Sequence, residues 1–488
     1  MDWVGWFDAP DYGIAREVLQ RGIAAVYFIA FLSGMNQFPA LLGEHGLLPA
    51  PRFLGRYGRL AMPTLFRWRY SDRLLRAVCL TGMAIAVTLV AGLPQLGPPW
   101  LPMIAFLALW LLYMSIVNVG QTFYSFGWEI LLLEAGFIVA FLGSNQTAPP
   151  KTILILLAWL LFRLEFGAGM IKIRGGSEWR DLTALYYHHE TQPMPGPLSR
   201  QAHLLPKPLH KVEVLGNHFA QLVVPFFLFA PQPLASIAAG IIIFTQLWLV
   251  ATGNFAWLNW IPIVLAFSAI SDPVLHSLVP AIPLDLHPAE QPSAAGASDT
   301  PLWWLVIVLA ASLLLVVLSY WPVRNLFAHR QLMNASFNRW QLVNTYGAFG
   351  TVTKRRIEMV VEGTLTEDPD DGDWREYGFK GKPGDVYRLP RQWAPYHLRL
   401  DWLMWFLPLR TVHEEWFYVF LGKLLEADRQ VLKLLRHDPF DGDRPRWVRV
   451  RSCIYRFSTR AEYRETRQRW IRTPLYEVIP PLSLPPDQ

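Results

Sequence analysis

Charge is scarce in this chain. Aspartate, glutamate, lysine and arginine make up 17% of its 488 residues, against about 25% in an average soluble protein. The shortage lies before residue 321, and the charge that exists is concentrated after it. That asymmetry speaks against an ordinary soluble protein of two or three domains and for a membrane domain followed by a water-exposed one. Cysteine is nearly missing as well. Only Cys79 and Cys453 occur, in contexts that suggest opposite ends of the fold, and no CxxC pair exists, so dithiol exchange by this chain alone is not expected. The first twenty residues carry Asp2, Asp8, Asp11 and Arg16 and lack a short apolar core followed by a cleavage site. The first membrane helix is therefore expected to serve as its own targeting signal. There is no GxSxG elbow (GGSEW at 175–179 is not one), no phosphate-binding loop and no dinucleotide fingerprint. The net charge of +6 resides in arginines that flank apolar segments, which leaves no case for a nucleic-acid partner. No repeat of the membrane half is visible, which disfavours a solute carrier.

What is abundant is apolar. Hydrophobic residues make up 52% of the chain, and the 22 tryptophans suit a protein whose indoles sit at membrane interfaces. A membrane helix needs about 20 mostly apolar residues. Nine segments qualify: roughly 22–41, 77–96, 100–118, 125–143, 152–172, 214–230, 234–252, 255–271 and 302–320. The expected fold class is an α-helical polytopic membrane domain of about nine transmembrane helices over 1–320, with a polar loop at 173–212. A soluble, β-rich, β-sandwich-like C-terminal domain follows over 321–488. Within it, RIEMVVEGT (356–364) and VRVRSCIYRF (448–457) read as strands, EDPDDGD (367–373) as a hairpin loop, and 413–436 as an amphipathic helix with Trp416, Phe420, Leu424 and Leu425 on one face.

The connecting segments differ in sign. Residues 42–76 hold Arg52, Arg56, Arg59, Arg67, Arg69, Arg73 and Arg76, whereas 272–301 hold Asp272, Asp285, Glu290 and Asp299 without a lysine or arginine. The positive-inside rule then places the arginine loop and the C-terminal domain in the cytoplasm and the acidic loop outside.

Ionisable residues at membrane depth cost at least about 2.5–3.5 kcal/mol each and persist where they pair or line a wet cavity. Glu129, Glu134, Arg163, Glu165 and Lys172 all fall inside candidate spans. Arg163 is expected to neutralise Glu129 or Glu134. Glu165, Gly169 and Lys172 share one helix face. His210, Glu213 and Asn217 recur at helical spacing, with Gln221 one turn beyond. The loop between adds Arg174, Glu178, Trp179, Asp181, His188, His189 and Glu190, and His218 follows. One reading makes these charges staples between helices. The other makes them a polar pocket near one membrane face. The histidines and carboxylates are of zinc-ligand type, but their spacing fits no standard signature. No metal and no cofactor are expected, and the loop reads as a cap hydrogen-bonded over the pocket.

Several long strings resemble the lipase maturation factor family. They are LEFGAGMIKIRGGSEWRDLTALYYHHETQPMPGPLS (164–199), HKVEVLGNHFAQLVVPFFLF (210–229), NTYGAFGTVTKRRIEMVVEGT (344–364) and PYHLRLDWLMWF (395–406). YSFGWEILLLEAGFIVAF (124–141) and TGNFAWLNWI (252–261) extend the likeness. The few cysteines and compact loops look like a bacterial member, in the inner membrane. The resemblance implies a chaperone-like protein of the endoplasmic reticulum membrane in animals, one that helps dimeric lipases fold, with client proteins and membrane lipids as partners and no established reaction. It also implies a C-terminal domain on the lumenal side, opposite to the arginine rule. The membrane domain more remotely resembles the vitamin K-dependent γ-carboxylase. That likeness implies Lys172 as a base, ahead of Gly175, Glu178 and Trp179, acting on a lipid, quinone or peptide. The spacing here is longer and a second lysine is absent.

Overall fold

The computed structural model describes residues 5–57, 62–278, 300–409 and 413–485. Arg59, Asp285, Glu290 and Asp299 lie outside the described residues. Seven helices among the described residues are long and apolar enough to cross a membrane. They contain α1 (Gly13–Leu42), α2 (Asp72–Val90), α3 (Trp100–Val119), then, after the short α4 (Gly127–Val139), α5 (Lys151–Arg174), α6 (Lys207–Leu222), α7 (Leu234–Thr252) and, after the short α8 (Trp260–Ala266), α9 (Leu302–Leu318). Helices α4 and α8 occupy the segments expected at 125–143 and 255–271, but each is shorter than a full span. Every residue of α4 is buried, so it needs no lipid-length exterior. Helix α8 and the turn after it break by 111° into Asp272–Leu278, where Ser271 and Asp272 precede Pro273. If that bent pair counts as one span, the number rises to eight. The difference from nine lies in length, since all nine expected segments are helical.

Helix ends sort onto two faces. On the first, Asp8 pairs with Pro150 and Thr300, Asn145 N donates to Gln95 O, and Gly13 N donates to Asp272 at 2.9 Å. On the second lie the end of α1, the start of α4, the end of α5 and the whole C-terminal region. The arginine-rich segment after α1 and the C-terminal region thus share a face, so whichever compartment one occupies holds for both. Between the faces, Leu80, Ile104, Phe219, Phe244, Leu313 and Val316 are exposed. Such a belt of large apolar side chains marks contact with lipid tails.

The C-terminal region holds a four-stranded antiparallel sheet in the order β2–β1–β3–β4, with β1 Arg356–Thr364, β2 Arg375–Glu376, β3 Trp447–Phe457 and β4 Trp470–Leu482. Val361 faces Val450 across the central pair. Pro474, Pro480 and Pro481 lie in edge strand β4, where a missing N–H is tolerated. A sandwich was expected, but the second layer is helical. Val361, Val448 and Val450 share their core with Phe417, Phe420 and Leu421 of helix α10 (Glu415–Leu425). Trp416, Leu424 and Leu425 are buried too. Asp428 ends the long amphipathic run by capping a separate turn, accepting from Gln430 N and Val431 N.

This region is keyed into the membrane domain rather than hung from it. Ser33 and Gln37 of α1 donate to the carbonyl of His397, and Gln37 accepts from Arg399 N. Asn254 accepts from the backbone of Trp393 and Ala394 at 2.6 and 2.9 Å. Arg356 of β1 donates to the carbonyls of Glu190, Gln192 and Pro193 in the 173–206 loop.

Candidate functional site

Apart from Arg16, which donates to the carbonyls of Ser144 and Thr147, the buried charges of the membrane helices fall into two groups. In the first, every charge has an opposite one. Arg163 pairs with Glu134 and donates to Asn344 O at 2.6 Å. Glu134 also accepts from Asn344 N at 2.8 Å and from the Tyr346 hydroxyl at 2.7 Å. Glu129 takes its partner from the C-terminal region: Arg399 lies 2.6 Å away, donates to Phe123 O and stacks 3.4 Å over the Tyr124 ring, while the Tyr113 hydroxyl donates to the same carboxylate. All four charged side chains are at most 3% exposed. Two charges of opposite sign, with their remaining lone pairs and protons hydrogen-bonded, are stable there, but either alone is costly. These four residues are structural plugs, and none of them lines the large cavity between α5, α6 and α7.

The second group lines it. This cavity, of about 980 Å³, lies under the 173–206 loop and the irregular segment 347–351. Its walls are mostly apolar, with Phe255, Phe349, Trp402 and Trp405 on the domain side. Leu209, Val212 and Phe219 of α6 and Phe244 of α7 also line it, and all four are exposed along the lipid-facing belt. The cavity therefore opens sideways between α6 and α7, toward hydrocarbon.

At its floor runs a chain of polar groups. Asn259 donates to Gln246 at 2.6 Å, Gln246 donates to Glu165 at 2.5 Å, and Gln221 donates to the other Glu165 oxygen at 3.4 Å. The Lys172 amine donates to Gln221 at 2.9 Å and to Asn217 at 2.8 Å, and lies 4.6 Å over the Trp179 ring. Amides thus stand between the carboxylate and the amine. Gly169 makes this possible: a Cβ there would meet Leu222 at 2.7 Å and Gln221 at 3.1 Å, so only glycine lets α6 approach α5 closely enough for the bridge. Gly175 does the same at the helix end, where a Cβ would strike the Gly350 carbonyl. Glu165 and Lys172 are 2% and 6% exposed, and neither faces lipid.

The loop residues divide. Trp179, His188, His189, Glu213 and Asn217 reach the cavity wall. His189 and His210 stand 3.6 and 3.8 Å from the two oxygens of Glu213. Others do not reach it. Arg174 is exposed and donates to Gln331; Glu178 pairs with Lys354 at 3.0 Å; Asp181 is exposed; Glu190 accepts from Phe457 N; and His218 bonds the Trp179 carbonyl. The predicted set of sixteen therefore separates into charge plugs, cavity wall and loop ties. Gln246, Asn259 and Arg399 were missed. A lone glutamine inside IIIFTQLWLV and an arginine inside PYHLRLDWLMWF were the available signals.

Comparison with known proteins covers almost all of this architecture. The profile of the lipase maturation factor transmembrane domain matches residues 14–277, and that of the lipase maturation factor C-terminal domain matches 342–480. Lipase maturation factor 1 of Bos taurus is 40% identical over 97% of this chain and 90% of its own length. The Homo sapiens protein of that name is 39% identical over 97% and 88%. Lipase maturation factor 2 of Homo sapiens is 28% identical over 96% and 83%. No solved structure matches. With membrane spans and C-terminal region both covered, the chain belongs to the lipase maturation factor family.

Proposed function

We propose that this protein is an integral membrane maturation factor that assists the folding or assembly of exported client proteins, lipases among them, from a bacterial inner membrane. The observation that carries the reading is the 40% identity over 97% of this chain, spans and C-terminal region together, to a relative named for lipase maturation. The keyed C-terminal region supports it, because a client surface held by a buried ion pair and buried hydrogen bonds is rigid relative to the membrane. The test is co-expression with a dimeric secreted lipase in a host that lacks this protein. Secreted lipase activity per unit of lipase mass should rise severalfold when the protein is restored. Equal specific activity with and without it sinks the proposal.

The cavity favours a second reading. Lys172 is an amine stripped of water, held by amide oxygens instead of a carboxylate and facing an apolar cavity open to lipid. That suits a carboxylase-like enzyme in which Lys172 is the base for a lipid, quinone or peptide. Affinity capture of wild type beside Lys172→Ala, with mass spectrometry of bound lipids and proteins, separates the two. Exported proteins recovered equally with both forms favour the maturation factor. A lipid or quinone recovered only with Lys172 intact favours the enzyme.

A further inference from the structure

A second cluster on the cavity wall is built differently from the lysine chain. The ligand atoms of His189, His210 and Glu213 all lie within 4.8 Å of one another. His210 Nε2 lies 3.3 Å from the backbone carbonyl of His203. A carbonyl only accepts, so Nε2 carries the proton. The lone pair of His210 Nδ1 then points at Glu213 Oε2, 3.8 Å away, with no hydrogen-bond partner. A lone pair facing a carboxylate at that distance is repelled unless a positive centre, a proton or a metal ion, lies between them. His189 faces the same carboxylate, with no carbonyl to fix its tautomer. Both its ring nitrogens lack a partner, and Nε2 lies 3.6 Å from Glu213 Oε1. Both imidazoles are only 2% exposed, so water does not satisfy them.

The surroundings match those of a ligated metal. In metal sites a histidine commonly gives its second ring proton to a backbone carbonyl, which fixes the tautomer and turns the other nitrogen to the ion; the His203 carbonyl does this for His210. The carboxylate is itself oriented, since Trp248 Nε1 donates to Glu213 Oε1 at 2.5 Å. Three ligands at about 2.0–2.2 Å from a tetrahedral ion sit roughly 3.4 Å apart; the histidine–carboxylate separations are 3.6 and 3.8 Å, one to each Glu213 oxygen, and the three ligand atoms lie within 4.8 Å of one another, so small side-chain movements close them on an ion.

We propose that His189, His210 and Glu213 bind a divalent transition metal of the zinc class. Two imidazoles and one carboxylate leave a fourth position open. His189 and Glu213 line the cavity, so that position faces its interior. It would take water, or an oxygen of a carbonyl or phosphate group carried by a molecule that enters from the lipid side.

The experiment uses the full-length, tag-free protein in detergent, stripped with chelator, incubated with zinc alone, desalted and assayed by elemental mass spectrometry. The expected result is one zinc per chain in wild type and in His203→Ala, whose backbone carbonyl is retained, and none in His189→Ala or His210→Ala. Cobalt in place of zinc should give wild type the visible absorption of a tetrahedral N,O site, and Glu213→Gln should alter it. Because the wild-type stoichiometry and spectrum need no variant, misfolding of a variant does not obscure the answer. Metal at background in monodisperse wild type overturns the proposal, and points to a proton shared among the three groups. So does zinc that persists in the folded His189→Ala/His210→Ala double variant.

Discussion

Glu134 and Glu165 sit in neighbouring helices at membrane depth, yet they are satisfied in opposite ways. Glu134 meets a guanidinium, two side chains and a backbone N–H, and is fully buried. Glu165 meets two glutamine amides, and beyond them lie a lysine and a large cavity. A full countercharge closes a site, because guanidinium and carboxylate fill each other's lone pairs and protons. An amide separates the charges while satisfying both, which leaves the amine a free side toward the cavity. The same residue types at one depth thus yield a staple in one place and a lined pocket in another, and the choice is made by what sits between them.

That contrast can be broken at its strongest point first. Arg399→Ala leaves Glu129 buried without its cation, so a loss of about 3–5 kcal/mol is expected. Thermal unfolding in detergent, or the yield of monodisperse protein, should show it plainly. Adding Glu129→Leu to that variant should recover much of the loss, since no charge is then stranded. Gly169→Leu attacks the bridge on the other side: the side chain collides with Leu222 and Gln221, and overpacking of this kind costs about 1–3 kcal/mol. A thermal midpoint equal to wild type would show that α6 can yield there.

His397 gives a pH-dependent test of the keyed region. It is fully buried among Trp128, Trp257 and Trp402, and burial first, then the nearby Arg399, holds its pKa well below the usual histidine value. The folded state therefore binds this proton less readily than the unfolded chain. Its stabilising contribution is complete above about pH 6.5 and is lost as pH falls below that, by up to about 1.4 kcal/mol per pH unit. Stability measured from pH 7 to pH 5 should decline, and His397→Phe should flatten the slope. The smallest effect belongs to Lys172→Met. No carboxylate touches the amine, but the Gln221 and Asn217 oxygens lose their donor, so a loss of about 1 kcal/mol is expected, while the lipids retained by the cavity change. A large drop in stability would place Lys172 among the staples instead.

The sequence made the periodic part of this fold legible. Apolar runs near 20 residues marked the long helices described in the membrane domain, residue composition marked β1, and alternation marked β3. The ionisable residues within those runs were visible for the same reason, since each interrupts a stretch that should contain none. What could not be seen was pairing over distance. Glu129 and Arg399 are 270 positions apart, and nothing in the spacing of either announces the other. The same holds for His189 and His210, whose adjacency depends on how a loop with short helical turns folds back on α6. A sandwich was a reasonable expectation from two long strands, but the sheet's other layer is a helix whose apolar stripe was read without its partner. Amides were underweighted: Gln221, Gln246 and Asn259 carry no charge, so they stand out less than Glu165 or Lys172 although they organise both.

The keyed arrangement has a consequence for biosynthesis. The ribosome delivers the helices first, and Glu129 enters the membrane long before Arg399 has been made. Until residues 344–399 arrive and dock, two carboxylates of α4 lack part or all of their partners. The unfinished chain thus carries a polar flaw inside the lipid that only its own last third can repair. Insertion and completion become separate events, and a protein truncated before residue 399 should be handled by the cell as an orphan even with every membrane helix in place.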